Sequence, residues 1–231
     1  MPADFDENHL SVFDGFVRLD GALADDLSVV NSARVSFAKK SDSLDESGIG
    51  LIGFLMRERH GTPFEHNAFR FHIKCPIFVA REWFRHRIGS FNEFSARYSF
   101  VNDDFFVMSP DFARTQKGKP GSYSFEPLDI DKAIEAHELI HKANQEAYGK
   151  YKDLLALGLA KEQARMVLPV SMYTQFYWTV NARSLMNFLS LRTHETAQRE
   201  IREYANAVEE LFSRKMPITH KLWVENSRTA P

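Results

Sequence analysis

From residue 85 to residue 98 the chain reads Arg-His-Arg-Ile-Gly-Ser-Phe-Asn-Glu-Phe-Ser-Ala-Arg-Tyr. Guanidinium groups, a carboxylate, an amide and two hydroxyls are interleaved with Phe91, Phe94 and Tyr98. Guanidiniums grip phosphate in a forked geometry, aromatic faces hold planar rings, and amides and carboxylates read base edges. The mixture suits a pocket for an anionic, planar ligand. Taken alone, Arg85-His86-Arg87 reads equally well as cations set against the dipole at a helix C-terminus.

Other segments add candidates. In HGTPFEH (60–66) Pro63 fixes a turn and leaves His60, Thr62, Glu65 and His66 available, although such groups also serve as ordinary turn residues. In NARSLMNFLSLR (181–192) Arg183 and Asn187 share one helix face. At about 100° per residue Arg192 falls on nearly the opposite side, so the helix could serve two separate ligands. Arg165 and Arg192 each stand among Leu, Met and Val, an awkward setting for a cation without an anion.

Two motif matches fail on context. Gly48-Ile49-Gly50-Leu51-Ile52-Gly53 has the dinucleotide-fingerprint spacing, but AKKSDSLDES before it is too charged for the buried strand that the motif needs. His137-Glu138-Leu139-Ile140-His141 places two imidazoles on one helix face, as a zinc site would. A third ligand is missing, because Asn144 and Ala147 occupy the positions of the extended motif, and the surrounding helix is mostly polar. No metal is therefore expected, and a zinc hydrolase is the runner-up reading.

The elements that must position these groups are legible in outline. Residues 11–19 read as an opening strand, and Asp25 or Asp26 caps a helix through LSVVNSARVSF. A second helix is expected over about 50–59, with Gly61 as its C-terminal stop. Alternation marks a half-buried strand over 69–75. Pro76 then opens a buried helix, IFVAREWFRHR, that runs to its basic end. Residues 109–128 carry the Pro, Gly and Ser of a long loop, and a polar helix over 131–157 ends at Gly158. Residues 171–180 have strand composition, Asn181 caps the next helix, and a final helix covers 197–215. The fold class is α+β: a single domain over 1–231, with a mostly antiparallel sheet packed against several helices and residues 1–10 flexible.

Composition sets the outer bounds. The 231 residues are 44% hydrophobic and 26% charged, ordinary for a globular chain, and twenty phenylalanines point to an aromatic core or interface. A formal net charge of −2 argues against a general nucleic-acid partner, so an RNA- or nucleotide-binding module using the same arginines is the weaker alternative. One cysteine rules out an internal disulfide, and no run suits a signal peptide or membrane span, so a cytoplasmic protein with no membrane partner is expected.

RHRIGSFNEFSARYS resembles the signature of the flavin-dependent thymidylate synthases, R-H-R-x-x-S-x-N-x-x-S-x-R-Y, at every specified position. SARVSF (32–37), HGTPFEH, ARMVLP (164–169) and NARSLMNFLSLR resemble the same family in the same order. The resemblance implies FAD as cofactor, NADPH and methylenetetrahydrofolate as co-substrates, dUMP as substrate and a homotetramer with sites shared between subunits. It implies flavin contacts at Ser36, His60, Thr62, Arg85, His86, Arg87, Ile88, Glu93, Asn181, Arg183 and Asn187. For dUMP it implies Glu82, Arg85, Glu93, Phe94, Ser95, Ala96, Arg97, Arg165 and Arg192, with Arg192 as the catalytic cation that favours ionisation at uracil N3. In that family no cysteine attacks the pyrimidine, and Cys75, inside an expected strand, agrees.

Overall fold

A computed structural model of the protein describes residues 7–119 and 122–231. Its strands are β1 (His9–Val12), β2 (Gly15–Leu23), β3 (Ala68–Pro76), β4 (Ser90–Glu93), β5 (Arg114–Lys119), β6 (Ser122–Pro127) and β7 (Tyr173–Asn181). Its helices are α1 (Asp26–Arg34), α2 (Glu46–Arg57), α3 (Thr62–Glu65), α4 (Ile77–Trp83), α5 (Ile130–Ala156), α6 (Lys161–Ala164), α7 (Ala182–Arg192), α8 (Arg199–Lys215) and α9 (Pro217–Glu225). The α+β class holds: one sheet runs β1-β2-β3-β7-β4, with β1/β2, β2/β3 and β4/β7 antiparallel, and helices accompany it. The chain divides into two compact units, one of residues 1–75, 79–93 and 174–231, the other of 76–78 and 94–173. Three of the four crossings fall at the ends of β3, β4 and β7 and the fourth inside α4, where composition gives no linker signal.

In the first unit the aromatic core expected from the phenylalanine count is present. Trp83 stacks on Phe188 with centroids 4.8 Å apart and meets Trp178 edge-on at 5.4 Å. Phe64, Phe69, Phe71, Phe176, Tyr204, Phe212 and Trp223 are also fully buried. Such pairs add specific geometry to apolar burial, so the backing of the adjoining loops is stiff. α8 shows the expected period, burying Ile201, Tyr204, Ala205, Val208, Leu211 and Phe212 on one face.

Local signals set several element ends. Asp25, Asp129 and Asn181 each accept a backbone N–H three residues on, capping α1, α5 and α7. Gly158 (φ 85°) follows α5 in the left-handed region.

Other expectations need correction. Residues 11–19 are not one strand but a hairpin, reversed at Phe13-Asp14 (Phe13 φ 53°), with Val12 opposite Gly15. A Cβ on Gly15 would overlap the Lys74 carbonyl, so the close strand approach requires glycine there. α2 starts at Glu46 because Asp45 caps it through Gly48 N. Arg59 (φ 56°), not Gly61, takes the left-handed residue after α2, and Gly61 leads into α3. Pro76 ends β3, and α4 stops at Trp83, leaving Arg85, His86 and Arg87 beyond the helix. There the chain must turn to pair β4 with β7, and a Cβ on Gly89 would come within 2.8 Å of Trp178 Nε1.

The sequence's long loop contains a two-stranded sheet, β5 against β6. Both faces of this ribbon are largely exposed, so it carries no apolar alternation to read. α8 begins at Arg199, and α9 lies beyond the last helix expected from the sequence. The α9 first turn is closed by Asp26, which accepts from Ile218 N (3.0 Å), Thr219 N (2.8 Å) and Thr219 Oγ1 (2.6 Å). Of the stretch expected to be flexible, residues 1–6 lie outside the described residues, and His9 and Leu10 belong to β1. No described helix is long and apolar enough to cross a membrane.

Candidate functional site

α7 and the loop after α4 build the first cavity. Asn181 caps α7 with its own side chain, which fixes the direction of Arg183, Asn187, Leu191 and Arg192 along the helix. Facing them is the Arg85–Ile88 loop, held by His86 N donating to Trp83 O at 3.0 Å. Together with Glu65 and the tail residues Ala230 and Pro231, these groups line a cavity of about 930 Å³. Among the described residues, Arg85, Arg87 and Asn187 have no side-chain partner, so their donors remain uncommitted. A second cavity of about 730 Å³ is lined by Ser36, Phe37, Leu51, Phe54, His60, Thr62 and others. Arg183 belongs to both.

Arg183 is held at one end of the first cavity. Its Nη1 contacts Glu65 Oε1 at 2.7 Å and its Nε donates to Pro231 O at 2.6 Å. A Cβ on Gly61 would lie 2.7 Å from Arg183 Cδ, so glycine is what lets the guanidinium lie against α3. Of the residues expected at the flavin, Ser36, His60 and Thr62 thus line one cavity, while Arg85, His86, Arg87, Ile88, Asn181 and Asn187 line the other. Glu93 lines neither; it accepts from Thr174 Oγ1 at 2.8 Å. A combination of volume, uncommitted donors and apolar faces (Ile88, Leu191, Phe54) fits a large dinucleotide bearing planar rings and phosphates.

Arg192 is where the helical count misleads. Although nine residues from Arg183, its side chain lines the same cavity, so the two ends of α7 share one pocket and Arg183 reaches a second. Arg192 Nε donates to His86 Nε2 at 3.0 Å, and Nη1 meets Glu82 Oε2 at 3.2 Å. The pair is only partly exposed, 23% for Arg192 and 31% for Glu82. Burial lowers the His86 pKa, and the adjacent Arg192 charge adds to that, bringing it to about 4. His86 is therefore neutral at pH 7 and able to accept from Arg192. Burial also raises the Glu82 carboxyl; Arg192 opposes that rise and Glu200 adds to it.

The remaining residues expected at dUMP divide by unit. Glu82, Arg85, Glu93 and Arg192 belong to the first; Phe94, Ser95, Ala96, Arg97 and Arg165 belong to the second. Within the second, Ser95 O accepts from both Tyr98 N and Ser99 N, closing the turn that carries Arg97. Arg97 Nε lies 3.7 Å from Glu162 Oε2, and Arg165 Nε donates to Glu162 O at 3.3 Å. Arg165 is exposed, so water can solvate it, contrary to the expectation of an apolar setting that demands an anion. Cys75 is fully buried, and its thiol pKa is pushed well up by that burial and by the Glu93 charge.

The rejected motifs have structural duties. Gly48, Gly50 and Gly53 lie inside α2, where Gly48 packs on Leu44 and Val30 and Gly53 approaches Leu222. His137 Nδ1 is 2.8 Å from the carbonyl of Met108. Sequence reasoning missed Glu65 as the partner of Arg183, although HGTPFEH already displayed it. It also missed the tail, which no motif marks. A further polar cluster, Glu209 with His220 (2.8 Å) and Arg228, anchors that tail beside α8. Burial opposes ionisation of Glu209, but hydrogen bonds from His220 and Arg228 prevail and hold its carboxyl below the usual range.

Known proteins resemble this chain along most of its length. The family model for thymidylate synthase complementing protein matches residues 19–218. A flavin-dependent thymidylate synthase from Thermosipho melanesiensis is 49% identical over 215 residues, covering 91% of each chain. That of Thermus thermophilus is 44% identical over 212 residues, covering 92% of this chain and 76% of its own. The crystal structure of a UMP/dUMP methylase, PolB from Streptomyces cacaoi, bound with 5-Br dUMP, superposes with a TM-score of 0.87. It is 43% identical and covers 94% of this chain and 98% of that one. The chain belongs to the flavin-dependent thymidylate synthase family.

Proposed function

We propose that this protein makes dTMP by reductive methylation of dUMP, with Arg192 as the cation that activates the pyrimidine. The observation that carries the reading is the Arg192 guanidinium, oriented by Glu82 and neutral His86 in a cavity that also presents Arg85, Arg87 and Asn187. Set against the uracil edge, that fixed cation favours loss of the N3 proton, and the resulting charge makes C5 electron-rich. Stabilising developing charge with a group already in place avoids reorganisation during the reaction. A thiol route lacks support, because Cys75 is buried and held protonated.

The cofactor that fits the two cavities is FAD. Arg85, Arg87, Asn187 and Arg183 would hold it, with Ser36, His60 and Thr62 on the Arg183 side. The chemistry it supplies when bound is hydride transfer, with NADPH as the source of electrons. Methylenetetrahydrofolate supplies the carbon: C5 loses its hydrogen, gains a one-carbon unit at the formaldehyde level, and two electrons complete the methyl group as tetrahydrofolate leaves. The assembly in this reading is a homotetramer with sites shared between subunits, in keeping with the exposed Phe37 (77%) and Ile88 (74%). Sedimentation as a stable monomer would contradict the assembly alone.

The test of the activity is direct. Purified protein should be yellow, and with NADPH and methylenetetrahydrofolate it should release tritium from dUMP labelled at C5. A flavin-loaded protein that leaves that label in place overturns the reading.

A further inference from the structure

The turn that carries Ser95, Ala96 and Arg97 lies outside any helix or strand, and its aromatic residues Tyr98 and Phe100 are 70% and 65% exposed. Buried Ala96 and Val101, the latter bonded to Tyr148 and Tyr151, fix its ends, and something more must hold the exposed middle if Arg97 is to meet a substrate reproducibly. Lys161, at the start of α6, does so twice. Its Nζ donates to Tyr98 O at 3.0 Å, and the same ammonium sits 3.9 Å from the Phe100 ring centroid. The hydrogen bond is exposed, but the same ammonium meets a carbonyl and an aromatic face at once, which a single surface ion pair does not.

Three further observations give that tether a purpose. Arg165 follows Lys161 by four residues, where α6 gives way to a 3-10 turn over Arg165–Val167, so the two side chains leave the chain about one helical turn apart. Arg97 meets the carboxylate of Glu162, the residue next to Lys161, and Arg165 donates to the Glu162 backbone carbonyl. The Arg97–Glu162 pair is long at 3.7 Å and about half-exposed on both sides (50% and 56%), the kind of pair that contributes little and exchanges readily for a better anion. Three cations against one carboxylate leave this patch with an excess of positive charge. Arg97 also lies over the Tyr98 ring, 5.1 Å from its centroid, and the Lys161 contacts hold the backbone that carries both residues.

We propose that Lys161 is a positioning residue: by tying the Ser95–Phe100 turn to α6, it sets Arg97 and Arg165 at the spacing that an anionic nucleotide needs. The proposal rests on the reading of dUMP as substrate and adds a residue to it. The lysine acts through the two arginines rather than on the substrate itself, so its loss weakens nucleotide capture and spares the chemical step.

The experiment uses flavin-loaded enzyme carrying Lys161→Met, Lys161→Arg, Arg97→Ala and the Arg97→Ala/Lys161→Met double substitution. KM for dUMP and kcat for dTMP formation are measured with bound flavin per subunit. Lys161→Met is expected to raise KM for dUMP about tenfold, with kcat within about twofold and flavin content unchanged. Lys161→Arg, which keeps both the donor and the cation over the ring, should restore KM to within about threefold. The double variant should have nearly the KM of Arg97→Ala alone, because residues acting as one unit do not add. Should Lys161→Met fail to fold, Phe100→Leu must raise KM in the same direction. A parental KM in Lys161→Met, or in Phe100→Leu where that stands in, overturns the proposal. So does a Lys161→Met penalty that multiplies fully onto Arg97→Ala, which would mean direct contact. A flavin-loaded parent without turnover of dUMP fails earlier, and takes the substrate reading down with it.

Discussion

Replacing Arg192 by alanine isolates the cation on which the proposed chemistry depends. At about 4 Å and an effective dielectric near 20, a full positive charge stabilises a developing negative one by about 4 kcal/mol. Removing one preorganised donor from such a site costs about 10² to 10³ in kcat, which agrees with that figure. Arg192 is partly exposed, which places the expected loss toward the lower half of the range. The substitution also leaves traces in its neighbours. His86 loses one of the two causes that bring its pKa to about 4, so its titration should move upward, but not fully to 6.5, because burial is the larger cause and remains. Glu82 loses the charge that opposes its upward shift and should rise further. Flavin absorbance per subunit should be kept, since Arg85, Arg87, Asn181 and Asn187 are untouched. The assays are dTMP formation with C5 tritium release, and an NMR titration of His86. Turnover within about threefold of the parent, in a variant that retains its flavin, would refute the argument.

The remaining predictions test the surroundings of that cation. His86 has a folded pKa of about 4, below its ordinary value of 6.5, so the unfolded chain binds the extra proton between them. Its contribution to stability is complete above about 6.5 and lost as pH falls toward 4; thermal midpoints across that window should fall less steeply in His86→Gln. Gly61→Ala meets the flexible Arg183 side chain and not backbone, so it should displace the guanidinium and reduce flavin retention with little change in melting temperature. Asn181→Asp keeps the α7 cap and should keep stability, but its charge in the cavity should lower flavin content; Asn181→Ala should cost about 1 kcal/mol as well, read by denaturant titration. Asp26→Ala removes three hydrogen bonds at the start of α9 and should cost about 3 kcal/mol, lowering the melting temperature by roughly 6–12 °C by calorimetry.

What can be read from the sequence is what is encoded within a few residues. Asp25, Asp129 and Asn181 cap their helices through bonds three residues long, and β3 alternates because one of its faces is buried. What cannot be read depends on distant partners. The end of α4 at Trp83 reflects the pairing of β4 with β7, whose residues lie about ninety positions on, and so the cation triplet falls outside the helix that its apolar run suggests. α9 is capped by a carboxylate 192 residues before Ile218. The β5–β6 ribbon has no buried face, so strand and loop look alike in composition. In α7 the angular count is sound for Cα positions, yet an arginine side chain reaches far enough to turn a residue on the opposite side into a neighbour of His86.

That last point bears on how the site works. Arg183, at the other end of α7, is held by Glu65 and the Pro231 carbonyl. Arg192 arrives from the side, and its path takes Nε past His86 and Nη1 past Glu82, so two of its donor groups are committed before any substrate is present. The arrangement works only if His86 is neutral, because an imidazolium could not accept from Nε and would repel the guanidinium. Burial against Phe188, 4.9 Å away edge-on, favours that neutral state, and Arg192 reinforces it. Phe188 is in turn stacked on Trp83, the last residue of the helix that carries Glu82. The aromatic core thus fixes the charge state of one partner of Arg192 and the position of the other, and the cation's direction follows from packing that lies behind it.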